Sequence, residues 1–408
     1  MANQGPWSPL KHSLFRAMWI ASVASNIGTW MHTVGASWLM TTLAASPLLV
    51  ALVQTATTLP VFLLGLPAGV MADLVDRRKL LIFTQSWMLA VAALLGILVI
   101  VGGIGPWWLL TLTFALGAGS AMNGPAWAAA IPELVPREEL PAAVALNSVG
   151  FNIARAVGPA LGGIVIAIAG SGVAFLLNAA SFFGVIFFLY RWKRPHFEHV
   201  ATGRVRDALV AGLRYVRGAP QVRSILIRTG AFSVAASSLP ALLPILARPH
   251  GATGYGLLLG FFGLGALAGA AVLPRVRTRF SVDGLVACDI LLFAAMTFAA
   301  GRVQTFSLLC LVLFTAGTAW IGILACLNIA AQTMCPSFLR ARALSMYLLV
   351  LQGGMALGSA TWGALATRLG VPAALSCSAA ALAVGLLAVR RHRLTSQQLK
   401  LTPSVVRD

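Results

Sequence analysis

Charge is scarce in this 408-residue chain: only 10% of its residues are Asp, Glu, Lys or Arg, whereas 59% are hydrophobic. A soluble domain carries roughly a quarter charged residues, so an ordinary water-soluble globule is excluded. Acids are the scarcest of all, with ten Asp and Glu beside six His, mostly in loops and tails. That leaves no clustered carboxylates or imidazoles from which to build an enzyme site or hold a metal. Neither a catalytic residue nor a cofactor is expected. None of the four lysines follows a glycine, so no G-x-x-x-x-G-K-[ST] phosphate loop exists and the chain is not an ATPase by itself. The five cysteines (Cys288, Cys310, Cys326, Cys335 and Cys377) lack C-x-x-C spacing and lie in or beside apolar runs, as small apolar side chains do. Ten-residue alternation is missing as well, which favours helices over a transmembrane barrel.

What remains is a succession of apolar runs of about 20 residues, the length of a bilayer-crossing helix. Spans are predicted near 17–42, 47–74, 80–103, 106–132, 142–168, 172–190, 223–247, 254–274, 282–300, 305–334, 343–367 and 372–389. Twelve helices place both termini on one side. One alternating set of loops and tails holds Lys11, Arg16, Arg77, Arg78, Lys79, Arg137, the cluster from Arg191 to Arg223, Arg275, Arg277, Arg279, Arg340, Arg342 and the arginines from Arg390 onward. The opposite set holds only Arg248, Arg302 and Arg368. By the positive-inside rule both termini are expected to be cytoplasmic. The net charge of +19 is thereby explained as topology, and nucleic acid is not expected as a partner. The first sixteen residues are polar and basic and the following span is too long for a signal-peptide core, so no cleaved leader is expected.

The longest hydrophilic stretch divides the chain into a six-helix bundle over residues 1–190, a linker over 191–222, a second six-helix bundle over 223–394 and a tail over 395–408. In the linker Val205, Leu209, Leu213 and Val216 recur at helical spacing among arginines, as in a helix lying on the membrane surface; a solvated linker reads equally well. An offset of 200 residues relates the halves. It places Gly65, Gly69, Gly117, Gly158, Gly163 and Gly170 on glycines, Arg77 on Arg277 and Pro136 on Pro336. Six of the 20 glycines before residue 204 meet a glycine, against about two expected from 40 in 408 residues, which supports a parallel repeat.

Residues 69–79 read Gly-Val-Met-Ala-Asp-Leu-Val-Asp-Arg-Arg-Lys after the second span. This resembles the cytoplasmic loop motif G-x-L-x-D-R-x-G-R-R/K of the major facilitator superfamily, with Leu74 in place of the usual arginine and Asp76 in place of the glycine. The glycine permits close helix packing, and an aspartate near a helix N-terminus can accept backbone N–H groups. The resemblance implies a gating role for Gly69, Asp73, Asp76, Arg77 and Arg78, which would latch the two halves in one of two states. Leu273 stands where Asp73 does in the second half, so one charged latch is expected. The Asp-Arg-Arg form is similar to the branch containing the enterobactin exporter and macrolide efflux proteins, the transmembrane secretion effector family.

The fifth span contains Gly158, Pro159, Gly162 and Gly163, which resemble the core of the superfamily's antiporter motif; Ala145 and Ala154 replace its two upstream glycines. Small residues let helices approach and Pro159 removes a backbone hydrogen bond, which suits a rocking interface and equally a static one. Arg155 falls in the middle of this span, where an arginine costs about 2.5–3.5 kcal/mol on insertion scales, so it should face water or protein. With Asn147 and Asn152 it again resembles the enterobactin-exporter branch, and it serves either substrate binding or an interhelical network. In the first span Ser25, Thr29 and His32, flanked by Asn26 and Thr33, form a polar face expected to line a cavity. His32 is a proton-exchange candidate and also a plain structural histidine. Asp289 is a second ionisable candidate, two turns from a helix end, where it can reach water. Asn123 and Asn328 are further polar lining candidates, while Trp30, Trp127, Trp320 and Trp362 serve as cavity walls, anchors or packing.

The expected fold is all-α and membrane-integral, twelve helices in two pseudo-symmetric bundles. The expected function is export of a small siderophore- or drug-like molecule by alternating access, with protons as the counter-ion the family implies. Import by a facilitator, or a transporter-shaped sensor, is the alternative. Thr113 occupies the place of the arginine that many drug/proton antiporters carry in the fourth span. The lipid bilayer is the remaining partner, a monomer is expected, and the location is a bacterial inner membrane.

Overall fold

The computed structural model describes residues 5–192, 220–333 and 340–389. The linker helix over 205–217, Cys335, Pro336 and the 395–408 tail lie outside the described residues, as does the side chain of Asp73. Everything described is helix or short connection. The helices are α1 (Ser13–Leu43), α2 (Pro47–Leu74), α3 (Arg77–Ile100) and α4 (Pro106–Ala130). Next comes Leu140–Arg191, whose two legs, 140–169 and 171–191, are α5 and α6. The second half holds α7 (Pro220–Ala236 continued by Ser238–Leu246), α8 (Gly251–Arg277), α9 (Val282–Ala300), α10 (Phe306–Thr333), α11 (Arg340–Leu369) and α12 (Val371–Ala388).

A straight helix of 52 residues would run about 78 Å, far beyond a hydrocarbon core of about 30 Å. Gly170 turns the chain back, with φ 83° and ψ 165°. Gly370, 200 residues later, does the same between α11 and α12 with φ 85° and ψ 157°. Only glycine enters this region without a steric penalty, so the internal repeat is visible as a shared backbone device. The offset carries further: α4 and α10 begin at residues 106 and 306, α5 and α11 at 140 and 340.

Among the described residues, nine helices are long and apolar enough to cross a membrane, the 137–191 segment counting once. That segment is two spans. α1 and α4, of 31 and 25 residues, complete the twelve. The bundle surface is lipid-like, with Ile168, Phe183, Leu311, Leu357 and Val384 all exposed, and Trp107 and Trp108 stand exposed at the start of α4, where interfacial tryptophans anchor a helix.

The two halves meet along α2–α11 and α5–α8, and these contacts cluster on the face away from the termini. Leu48 N–H donates to Thr367 Oγ1 at 3.1 Å, and Thr55 Oγ1 donates to the Ala356 carbonyl at 3.0 Å. Arg248 Nη2 donates to the Thr41 and Ala44 carbonyls at 2.8 and 3.2 Å. The Trp38 and Tyr255 rings stack at 6.4 Å. Toward the terminus face the contact fades: a Cβ on Gly65 would reach Leu349 only at 3.9 Å, and one on Gly69 would meet nothing within 4 Å among the described residues. Close packing was expected at Gly69. Among the described residues it is absent, and they are closed on the far face and open toward the termini.

Candidate functional site

The space between the halves is written in the exposure of α5. Positions 144, 148, 151, 152, 155, 159, 162 and 166 follow one helical stripe. Val144, Ser148, Phe151 and Asn152 are exposed, Arg155 is half-buried, and Pro159, Gly162 and Ile166 are buried. Arg155 thus marks the level at which the cavity closes. Just beyond it the backbones of α5 and α8 touch. A Cβ on Gly163 would come within 2.7 Å of the Ala252 carbonyl oxygen, and one on Gly256 within 2.5 Å of the Pro159 carbonyl oxygen. Gly263 crosses at the Arg155 carbonyl itself. Glycines are needed here because a side chain on either helix would wedge the two halves apart.

Arg155 forms no hydrogen bond or ion pair among the described residues. An arginine at this depth is costly, and its guanidinium has no carboxylate partner among the described residues. Asn152 stands one turn nearer the opening, its Nδ2 donating back to the Ser148 carbonyl at 2.8 Å.

Alongside, α1 packs on α5 through Trp19 Nε1, which donates to the Leu146 carbonyl at 2.9 Å, and through Trp30 against Gly158. Its half-buried stripe Ser22, Asn26, Thr29 and Thr33 satisfies itself locally: Asn26 Nδ2 donates to the Ser22 carbonyl at 2.8 Å and the threonines donate one turn back. The sequence put Ser25 and His32 on that same lining. Both are buried instead: Gly28 between them admits Asn178 of α6, and the His32 ring lies tilted against Phe175 at 4.5 Å with neither ring nitrogen bonded among the described residues. The polar face is wider than one stripe, so half of it is consumed in packing.

Asn147 and Asn123 bond between helices, whereas Asn328 bonds within its own. Asn147 Oδ1 accepts from Trp127 Nε1 at 3.1 Å, Asn123 Oδ1 accepts from Thr84 and Gln85 at 3.2 and 3.1 Å, and Asn328 Oδ1 accepts from Gln332. Trp320 is buried among Phe232, Phe262 and Phe293, and Trp362 Nε1 donates to the Val234 carbonyl, so both pack the second half. A second hollow of about 520 Å³, almost wholly apolar, lies between α2 and α7 over Gly353 and Gly354 on the lipid-facing side beside Leu357.

The loop between α2 and α3 is built from its own half. Asp76 caps α3, accepting from the N–H groups of Arg78 and Lys79 at 2.9 and 3.3 Å. Arg77 Nη1 pairs with Glu133 Oε1 at 2.7 Å and donates to the Ala129 carbonyl, and Arg78 donates to the Leu189 and Tyr190 carbonyls at the end of α6. Glu133 was not singled out from sequence; as an acid just past α4, on the basic face, it was the available signal. Tyr255 and Arg248 of the far-face closure carried no motif at all.

Residues 4–406 match the family model described as transmembrane secretion effector. The staphyloferrin A transporter of Staphylococcus aureus is 26% identical over 61% of this chain and 64% of its own length, so the match spans less than two thirds of that protein. The enterobactin exporter of Salmonella choleraesuis is 26% identical over 92% of this chain and 91% of its own. Among solved structures, a bacterial homologue of the human lysosomal transporter Spinster, in an inward-facing and occupied conformation, superposes with a TM-score of 0.75 at 15% identity, over 97% of this chain and 99% of that one.

Proposed function

The chain belongs to the transmembrane secretion effectors of the major facilitator superfamily, and from that premise we propose that it exports a small anionic amphiphile, siderophore-like in chemistry, by proton-driven alternating access. Transport of small molecules through the bacterial inner membrane follows from the family. The observation that carries the finer reading is Arg155: a half-buried cation where the halves converge, with no carboxylate bonded to it among the described residues. A site built this way favours a ligand that brings the negative charge, because a buried cation gains most from a counter-charge it does not already have. Asn152 and the Asn26–Thr33 stripe supply hydroxyl and amide groups for the rest of such a molecule.

Export is favoured because the cavity opens toward the face carrying Arg77, Arg78, Lys79 and Arg137, the side that the positive-inside rule makes cytoplasmic. A cytoplasmic anionic solute is drawn toward that rim and bound at Arg155, and rocking about the α5–α8 and α2–α11 crossings would expose it on the far side. The gating residues Gly69, Asp73, Asp76, Arg77 and Arg78 serve the return. Ligand binding by the purified protein, read by thermal shift across matched anionic and neutral amphiphiles, tests the reading. Anionic members should stabilise the wild type and lose that effect in Arg155→Ala, whereas equal stabilisation by neutral members, or an undiminished effect in the variant, would defeat it.

A further inference from the structure

Arg77 and Arg277 occupy equivalent places in the repeat. In the first half Arg77 has its acid, Glu133. In the second half the equivalent of Glu133 is Thr333, and Arg277 forms no hydrogen bond or ion pair among the described residues, its Nε buried without an acceptor. Any acid that serves Arg277 must lie elsewhere.

The acid comes from a different helix. Asp289 lies two turns into α9, with its carboxylate pressed on Gly322 of α10, where a Cβ would overlap Oδ2. Leu89 and Met122 hold the equivalent positions in the first half, so both the acid and the notch that admits it are particular to the second. Asp289 has no hydrogen-bond or ion-pair partner among the described residues. Cys326, one turn along α10, lies within electrostatic reach of both Asp289 and Arg277. Acid and base thus flank one turn of α10 without touching.

Among the described residues, the other charged side chains on helices that touch α9 are Arg223, which is exposed, and Arg228, both on α7. α10 and α12, packed against α9, carry no charged side chain. At the start of α9, Asp283 is paired with Arg228 of α7 at 2.9 Å. An ionised, unpaired carboxylate against apolar helix is unfavourable, and pairing or protonation relieves it.

We propose that Asp289 is a proton-binding site and Arg277 its conformational partner: apart, as here, Asp289 holds a proton, and when α8 shifts against α10 the proton leaves and the carboxylate pairs with Arg277. The carboxyl O–H breaks and the proton passes to water on the terminus face, the side from which it came. The device therefore reads pH on that face and moves no net charge across the membrane. Acid holds the terminus face open; alkali favours its closure. It is separate from whatever drives transport.

The test is a distance measurement on the full chain in lipid nanodiscs, with spin labels at the exposed positions Glu138 and Phe280. Between about pH 5.5 and about pH 8 the ratio of open to closed populations in the wild type should fall at least about threefold, as expected for a single proton linked to a two-state equilibrium. Asp289→Asn should keep the open distance at both values, Asp289→Glu should retain the shift, and Arg277→Gln should lose the closed population at high pH. Elution as a monodisperse species checks that each variant is folded. An unchanged pH response in Asp289→Asn, or no response in the wild type, would overturn the proposal. Because the readout is a distance and not transport, that result leaves the export reading standing, and a failure of export leaves the latch standing.

Discussion

At the residue scale, Arg155 separates a transport role from a packing role. It has no polar partner to lose among the described residues, so Arg155→Ala should leave the melting temperature within a few degrees of wild type while substrate binding weakens more than about tenfold, or at least ~1.4 kcal/mol. Arg155→Lys should recover part of that, since the charge returns without the planar fork. Thermal melts and binding isotherms on the same preparations check both. His32 predicts the opposite. With neither nitrogen bonded and its ring on Phe175, His32→Met should preserve stability or raise it, because it removes buried unsatisfied groups that cost about 1–3 kcal/mol each, and should leave transport within about twofold of wild type. A loss of proton-driven accumulation in that variant would return His32 to the coupling path. Asp76→Ala removes the α3 cap and should lower stability by about 0.5–2 kcal/mol, read as a fall in melting temperature.

At the scale of elements, the α5–α8 crossing depends on backbone approach. Gly256→Val would drive a side chain into the Pro159 carbonyl, so the helices must part; the expected cost is about 1–3 kcal/mol and the expected consequence is a looser far-face closure. Faster labelling of a cysteine placed at Trp38 should report it, and unchanged labelling would show that the crossing is not what holds that face shut. The same elements show what sequence could and could not supply. Gly158, Pro159, Gly162 and Gly163 announced a close crossing because small residues at that spacing have few other uses in a membrane. They did not name the partners: Gly158 and Gly162 meet Trp30 and Met31 of α1, and Gly163 meets α8 because Gly256 lies opposite. The helices themselves were legible from hydropathy, and Gly170 and Gly370 from the repeat. The orientation of His32 was not legible: α1 is polar over more than one stripe, and which polar residues face water depends on where α6 packs. Glu133 and Arg277 were hidden for a related reason, being ordinary loop and helix-end charges until a neighbouring helix gives them, or withholds, a partner.

At the scale of the molecule, the halves are closed where Leu48 meets Thr367 and, among the described residues, open toward the termini. Cysteines at those two positions, in a background without the native five, should cross-link under oxidation and hold the far face shut, abolishing transport until a reductant is added. Transport surviving complete cross-linking would mean that this face does not need to open.

The most direct measurement is accumulation in inverted inner-membrane vesicles of a panel of siderophores, macrolides and dyes, with and without an imposed inside-acid proton gradient. The account predicts gradient-dependent accumulation of an anionic, siderophore-like member of the panel, lost in Arg155→Ala and retained in His32→Met. Accumulation indifferent to the gradient, or confined to neutral and cationic compounds, would contradict it.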